Sequence, residues 1–152
     1  MNMRKNIIIT VGITLAYTLP VLAQSATDND ILTNNDISHC SSQLNDDASD
    51  CSENLVNQSD SKLLKTYDNK LNALKKMDAS TWWMGNQDQK NNMISNFLNS
   101  QALWEQYKIA YCKSASSAEE NTNGYSDVLS SCFINMNERR IQDINLMPNE
   151  DK

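Results

Sequence analysis

The sequence has 152 residues, 19 of them acidic and 13 basic, for a formal net charge of −6. That length suits one domain, and that charge balance excludes a reader of phosphate backbones, which needs a basic patch. Three Gly and two Pro in the whole chain leave few helix breakers, and no strand pattern competes with helix.

Residues 1–23 read as a cleavable signal peptide. Arg4 and Lys5 supply the positive start, residues 7–19 an apolar run, and Pro20 the break before Val21-Leu22-Ala23. Cleavage is expected before Gln24. The run is too short for a membrane span of roughly 20 residues. With no cysteine at the cleavage point, lipid attachment is not expected there either. The mature chain is therefore expected in the periplasm or outside the cell, free of membrane, with a net charge of about −8. Such a charge favours basic partners and speeds their encounter, besides keeping a small domain soluble.

Residues 24–38 are polar, lack an apolar period and read as a flexible leader. The domain proper is assigned to residues 39–147, with 148–152 as a tail after Pro148. Its four cysteines, Cys40, Cys51, Cys112 and Cys132, form an even set in an exported chain and imply disulfides. Of three pairings we take the sequence-local one, Cys40–Cys51 and Cys112–Cys132. Metal is not expected, because there is no CxxC pair and His39 is the only histidine.

The first long helix is expected over residues 47–77, capped by Asp46 or Asp47. Leu64, Tyr67, Leu71, Leu74 and Met77 recur at gaps of three and four and draw its apolar stripe. Lys62, Lys65, Asp68, Lys70 and Lys75 read as its solvated face. Residues 78–89 form a connection holding Trp82, Trp83 and Gly85. Two adjacent tryptophans cannot share one helical face, so one of them is a candidate partner anchor.

A second helix is expected over residues 90–116, with Ile94, Phe97, Leu98, Trp104, Tyr111 and Cys112 inward. Gln101 and Lys108 lie among the inward positions and need partners there. Residues 116–124 form a loop, with Asn123-Gly124 as its turn signal. The loop carries Glu119 and Glu120, which are candidate contacts for a basic partner. A third helix follows over residues 126–146, with Val128, Leu129, Cys132, Phe133, Met136, Arg140, Ile141 and Ile144 inward. The fold class is all-α: an antiparallel helical hairpin plus a third helix, stapled by two disulfides.

Catalysis finds no constellation. His39 sits alone in a polar segment, no two carboxyl groups are placed to converge across a cleft, and no glycine-rich phosphate loop occurs. Neither an enzyme nor a cofactor is expected.

One ordered set of residues is more informative. It runs from Cys51 through Ser59-Asp60-Ser61-Lys62-Leu63 and Tyr67. It resumes at Leu98-x-x-Gln101-Ala102-x-Trp104-x-x-Tyr107-Lys108, passes Cys112 and Cys132, and ends at Arg140-x-x-x-Ile144. This set resembles the LprI-type lysozyme-inhibitor domain, a family of small exported bacterial proteins, over about residues 40–146. Lys108 stands where that family usually has arginine, and Asn137 where it often has threonine. A lysine cannot offer the two-pronged donor fork of arginine.

Read from the residues, Gln101, Trp104, Tyr107, Lys108 and Arg140 form a polar–aromatic cluster between helices, with Asp60 pairing to Lys108 or Arg140. The competing reading makes the same residues the lining of a groove that contacts a partner. The resemblance implies a periplasmic inhibitor that occludes the cleft of a basic lysozyme or other wall hydrolase. Two alternatives stand beside it: an immunity protein against another wall-degrading toxin, and a structural or stress protein of the envelope with no enzyme target.

Overall fold

The computed structural model describes residues 30–42, 47–83 and 85–148. The expected signal peptide and its cleavage site lie outside them, as do the first part of the leader, the capping side chains of Asp46 and Asp47, and most of the tail.

Four helices make the described chain: α1 (Asn35–Ser41), α2 (Asp47–Lys76), α3 (Gln87–Ala115) and α4 (Tyr125–Leu146). No strand occurs among the described residues. The long helices form the expected hairpin and third helix. Antiparallel pairing of α2 with α3 brings Asp60 to Lys108 and Tyr67 to Phe97. Antiparallel pairing of α3 with α4 brings Lys108 to Asn137 and Gln101 to Arg140. Helices α2 and α4 therefore run parallel, and they make the most extensive packing in the fold. Both disulfides have the expected pairing, Cys40–Cys51 and Cys112–Cys132.

The short α1 departs from the reading of residues 24–38 as a leader. Asn34 caps it, accepting from the backbone N–H of Asp36 at 3.0 Å. Ile37 and Cys40 are buried against α2 and α4. The segment before it packs Ile31 and Leu32 against the Cys112–Cys132 cluster and is tied down by one side chain of α4. Asn135 of α4 donates to the carbonyls of Ile31 (3.1 Å) and Thr33 (2.8 Å) and accepts from Asn34 (3.0 Å). A polar stretch can thus be ordered by side-chain amides where it has little apolar area to bury.

Two core clusters fill the bundle. One gathers Leu63, Leu74, Phe97 and Ile144; the other gathers Cys112, Cys132 and Met136. Trp104 packs against both and joins them.

Of the α2 stripe read from the sequence, Leu74 is buried and Tyr67, Leu71 and Met77 pack against the core, but its first member is displaced by one position. Leu63 is buried, while Leu64 is 59% exposed. The inward set is Leu63, Tyr67, Lys70, Leu74 and Met77, at alternating gaps of four and three. Lys70 belongs to it: its stem is buried and its ammonium donates to the carbonyl of Met147 at 3.0 Å. That carbonyl lies just past the last turn of α4, where a cation complements the helix dipole. Leu98, expected inward, is 43% exposed.

Helix α3 starts at Gln87 because Asn86 caps it, accepting from the backbone N–H of Gln89 at 2.8 Å. In the loop before α4, the left-handed residue is Asn121, with φ 68°, rather than Gly124.

Candidate functional site

A polar node sits where α2, α3 and α4 meet. Its centre is Lys108, whose side chain is nearly buried among Trp104, Phe133 and the neighbouring helices. An ammonium has three protons to place, and three acceptors surround this one: Asn137 Oδ1 at 3.1 Å, Glu105 Oε2 at 3.1 Å and Asp60 Oδ1 at 3.4 Å. The Trp104 ring adds a cation–π contact, its centroid 5.0 Å from Nζ.

Asn137 is fully buried and spends its amide on the same node. Its Nδ2 donates to Asp60 Oδ1 at 2.7 Å and Ser59 Oγ at 3.1 Å, while its Oδ1 accepts from Lys108. The two positions that depart from the family pattern therefore touch one another. The lysine offers no fork, and the asparagine carbonyl gives its compact charge an acceptor on α4.

A second cation lies one turn away. Arg140 Nε donates to Gln101 Oε1 at 3.0 Å and its Nη2 to Ser100 Oγ at 2.9 Å, with the guanidinium 5.9 Å from the Trp104 ring centroid. Burial lowers its pKa from the ordinary guanidinium value, opposed by Asp143 and Glu105, and it stays charged at any physiological pH. Burial also raises the pKa of the nearby Tyr67 phenol. Arg140→Ala strips two charged hydrogen bonds and the cover of Trp104. It should cost about 2 kcal/mol and lower the melting temperature by roughly 5 °C, read by calorimetry. An unchanged melting temperature would mean that Arg140 does not hold the bundle.

Of the cluster read from the sequence, Asp60, Gln101, Trp104, Lys108 and Arg140 come together. Tyr107 does not: it is 55% exposed on the outer side of α3, beside Tyr111. Members that the sequence did not single out are Ser100 and Glu105, while Asn137 was marked there only as a departure from the family pattern, without a role. A buried amide in mid-α4 has the same signature as a solvated one until the neighbouring lysine is placed.

The node also opens outward. Asp60, Gln101, Glu105 and Lys108, with Leu64 and Tyr67, line an open groove of about 570 Å³ between α2 and α3. Both earlier readings of these residues thus have a physical basis: the buried atoms tie helices together while the carboxylates face water.

The candidate contact loops stand at opposite ends of the bundle. One precedes α3 and the other follows it, so the 29 residues of α3 separate them by roughly 40 Å. They cannot enter one cleft together. In the loop before α3, Trp82 is half-buried and Trp83 is 99% exposed. The base of this loop is pinned. Asp78 accepts from the backbone N–H of Ser80 at 2.9 Å, and its hydrogen bonds to Ser80 hold its carboxyl below the usual carboxylate range. Lys90 Nζ donates to the Met77 carbonyl at 2.7 Å, and Gly85 takes a φ of +52° to turn into α3. In the loop after α3, Glu119 sits in a short 3-10 turn, accepts from Thr122 Oγ1 at 3.1 Å and is followed by Glu120, both acids exposed.

No helix among the described residues is long and apolar enough to cross a membrane. Neither curated proteins nor solved structures give a match to this chain. The model of one family, described as lysozyme inhibitor LprI, matches residues 40–144, from the first cysteine of α1 to the last core isoleucine of α4. Because that match covers most of the chain, including both disulfides and the whole polar node, the chain belongs to the LprI lysozyme-inhibitor family.

Proposed function

We propose that the protein is exported to the periplasm and there inhibits a basic lysozyme by occluding its substrate cleft, with Trp83 as the inserted group. The observation that carries this reading is the exposure of Trp83: a whole indole ring stands in solvent on a loop whose base is fixed. Little conformational freedom is lost when such a loop docks, so more of the ring's burial remains as affinity. A saccharide cleft offers apolar walls to the ring and a polar rim to its N–H. The two disulfides fit an oxidising compartment. The charge of the mature chain, about −8, steers a basic enzyme toward it from any side, and Glu119 and Glu120 add to that field without touching the cleft.

A wall-lysis assay separates the roles of the loops. Trp83→Ala should weaken inhibition roughly 100-fold by raising the dissociation rate, as loss of a central anchor does. Glu119→Gln with Glu120→Gln should slow association only a few-fold. The reverse pattern would move the contact to the acidic loop and overturn the assignment to Trp83.

A further inference from the structure

The open groove between α2 and α3 carries more negative charge than the packing of the node needs. Among the described residues, two carboxylates line it, Asp60 and Glu105, beside one cation, the buried Lys108. One carboxylate would neutralise that ammonium. Widening the circle to Arg140 brings in Asp143, and Asp68 beside Tyr67, so the surplus stays negative. Lys62 and Lys65 of α2 do not line the groove. The acid pair is held in place from the inner side. Asp60 Oδ1 accepts from both Lys108 and Asn137, while Glu105 accepts from Lys108 on Oε2 and from Gln101 on Oε1. Because both acids hold the same ammonium, they stand close enough for one flat cation to meet both. Their side chains are nevertheless 51% and 43% exposed. An apolar rim borders this acidic floor. Leu64, one turn after Asp60, stands in solvent. On α3, Leu98, Gln101, Glu105 and Ile109 follow one another at gaps of three and four. That spacing sets the exposed Leu98 and Ile109 on the ridge that carries Glu105.

We infer that this groove is the docking site for an arginine side chain on the surface of a basic protein partner. Charge complementarity selects the guest: a cation balances the surplus of the floor, and an anion is repelled by it. A guanidinium is flat and carries donors on several edges, so it can donate to both carboxylates at once, and it gives up its water more readily than an ammonium does. Its aliphatic stem then lies against Leu64 and Tyr67, which line the same groove. Lys108, Asn137 and Gln101 have already placed the acceptors, so little side-chain freedom is lost on docking. The rim selects a protein over a small free cation. A small molecule in so open a groove leaves Leu64, Leu98 and Ile109 in water, whereas apolar residues beside the partner's arginine cover them. The inference rests neither on lysozyme inhibition nor on Trp83.

Amide NMR of the oxidised protein, expressed from the full sequence and purified after export, tests it by titration with a capped Leu-Arg-Leu peptide. Resonances around Leu64, Gln101 and Glu105 should shift saturably, and added salt should weaken the binding. The same peptide with citrulline for arginine keeps the shape without the charge and should not bind. A Gly-Arg-Gly peptide should bind roughly 10-fold more weakly, because it leaves the rim uncovered. Glu105→Gln should weaken Leu-Arg-Leu roughly 10-fold. Leu64→Lys places a fixed cation at the rim without touching the node, and should weaken it at least as much should Glu105→Gln disturb the fold. The inference is overturned if the peptide gives no saturable shift, or if its shifts are as large at Glu119 and Glu120. Equal binding of the citrulline peptide removes the charge argument, and equal binding of Gly-Arg-Gly removes the protein partner; either outcome overturns it too. Peptide binding without lysozyme inhibition would leave the groove standing and sink the proposed function, and inhibition without peptide binding would do the reverse.

Discussion

Asn137→Ala should lower the unfolding free energy by about 3 kcal/mol, a drop of roughly 10 °C in melting temperature. The side chain is fully buried, and its three hydrogen bonds join α4 to Ser59 and Asp60 of α2 and to Lys108 of α3. Removing it leaves a small cavity and takes from the Lys108 ammonium its one acceptor on α4. Asp60 and Glu105 remain, but each is about half in water, so their attraction is screened. The burial cost of the lysine is then no longer balanced. The same logic predicts coupling between the two positions. Lys108→Arg alone crowds Asn137, and Asn137→Thr alone removes two donors that a lysine cannot replace. The pair together restores the usual family combination, arginine with threonine, and should be at least ~1 kcal/mol more stable than the sum of the single changes predicts. Denaturant unfolding of the four proteins closes this cycle; strict additivity would show that the two residues do not act as a unit.

Loss of the Cys112–Cys132 bridge should have an effect of similar size. It closes a separation of 20 residues and ties the end of α3 to the first half of α4. The chain-entropy model assigns such a loop about 3 kcal/mol. Both sulfurs lie in a core cluster with Met136, flanked by Trp104 and Phe133, so alanines at both sites add a packing loss. Replacing Cys40 and Cys51 should act more locally. That bridge ties α1, a seven-residue helix too short to persist alone, to the start of α2. Hydrogen exchange should then show α1 opening while α2, α3 and α4 stay protected. Equal global destabilisation by the two double replacements would contradict this division.

The sequence announced the three long helices within a few residues because few breakers interrupt their apolar periods. The disulfide pairing followed from cysteine spacing. What was harder to read lay in residues whose role depends on a distant partner. Lys70 carries a charge like its neighbours on α2, and the carbonyl of Met147, 77 residues away, helps to make its burial favourable. Leu63 and Leu64 are adjacent leucines, and no local rule says which one faces Phe97. The segment leading into α1 is largely polar and is held by Asn135 across about a hundred residues. At the node, the family pattern pointed to Asp60, Gln101, Lys108 and Arg140. The amide of Asn137, which completes the lysine's acceptors, became legible only once α4 was docked. Tyr107 shared the motif spacing but lies on the far side of α3, because motif spacing and helical phase are separate facts.

The most direct test of the account is inhibition itself. Oxidised protein, exported and freed of residues 1–23, is titrated into lysozymes of differing net charge acting on bacterial walls, at low and high salt. The account predicts dose-dependent inhibition of a basic lysozyme, weakened by salt chiefly through a slower association rate. No inhibition of any lysozyme at large molar excess would contradict it, leaving a stapled helical bundle whose exposed tryptophan serves some other partner.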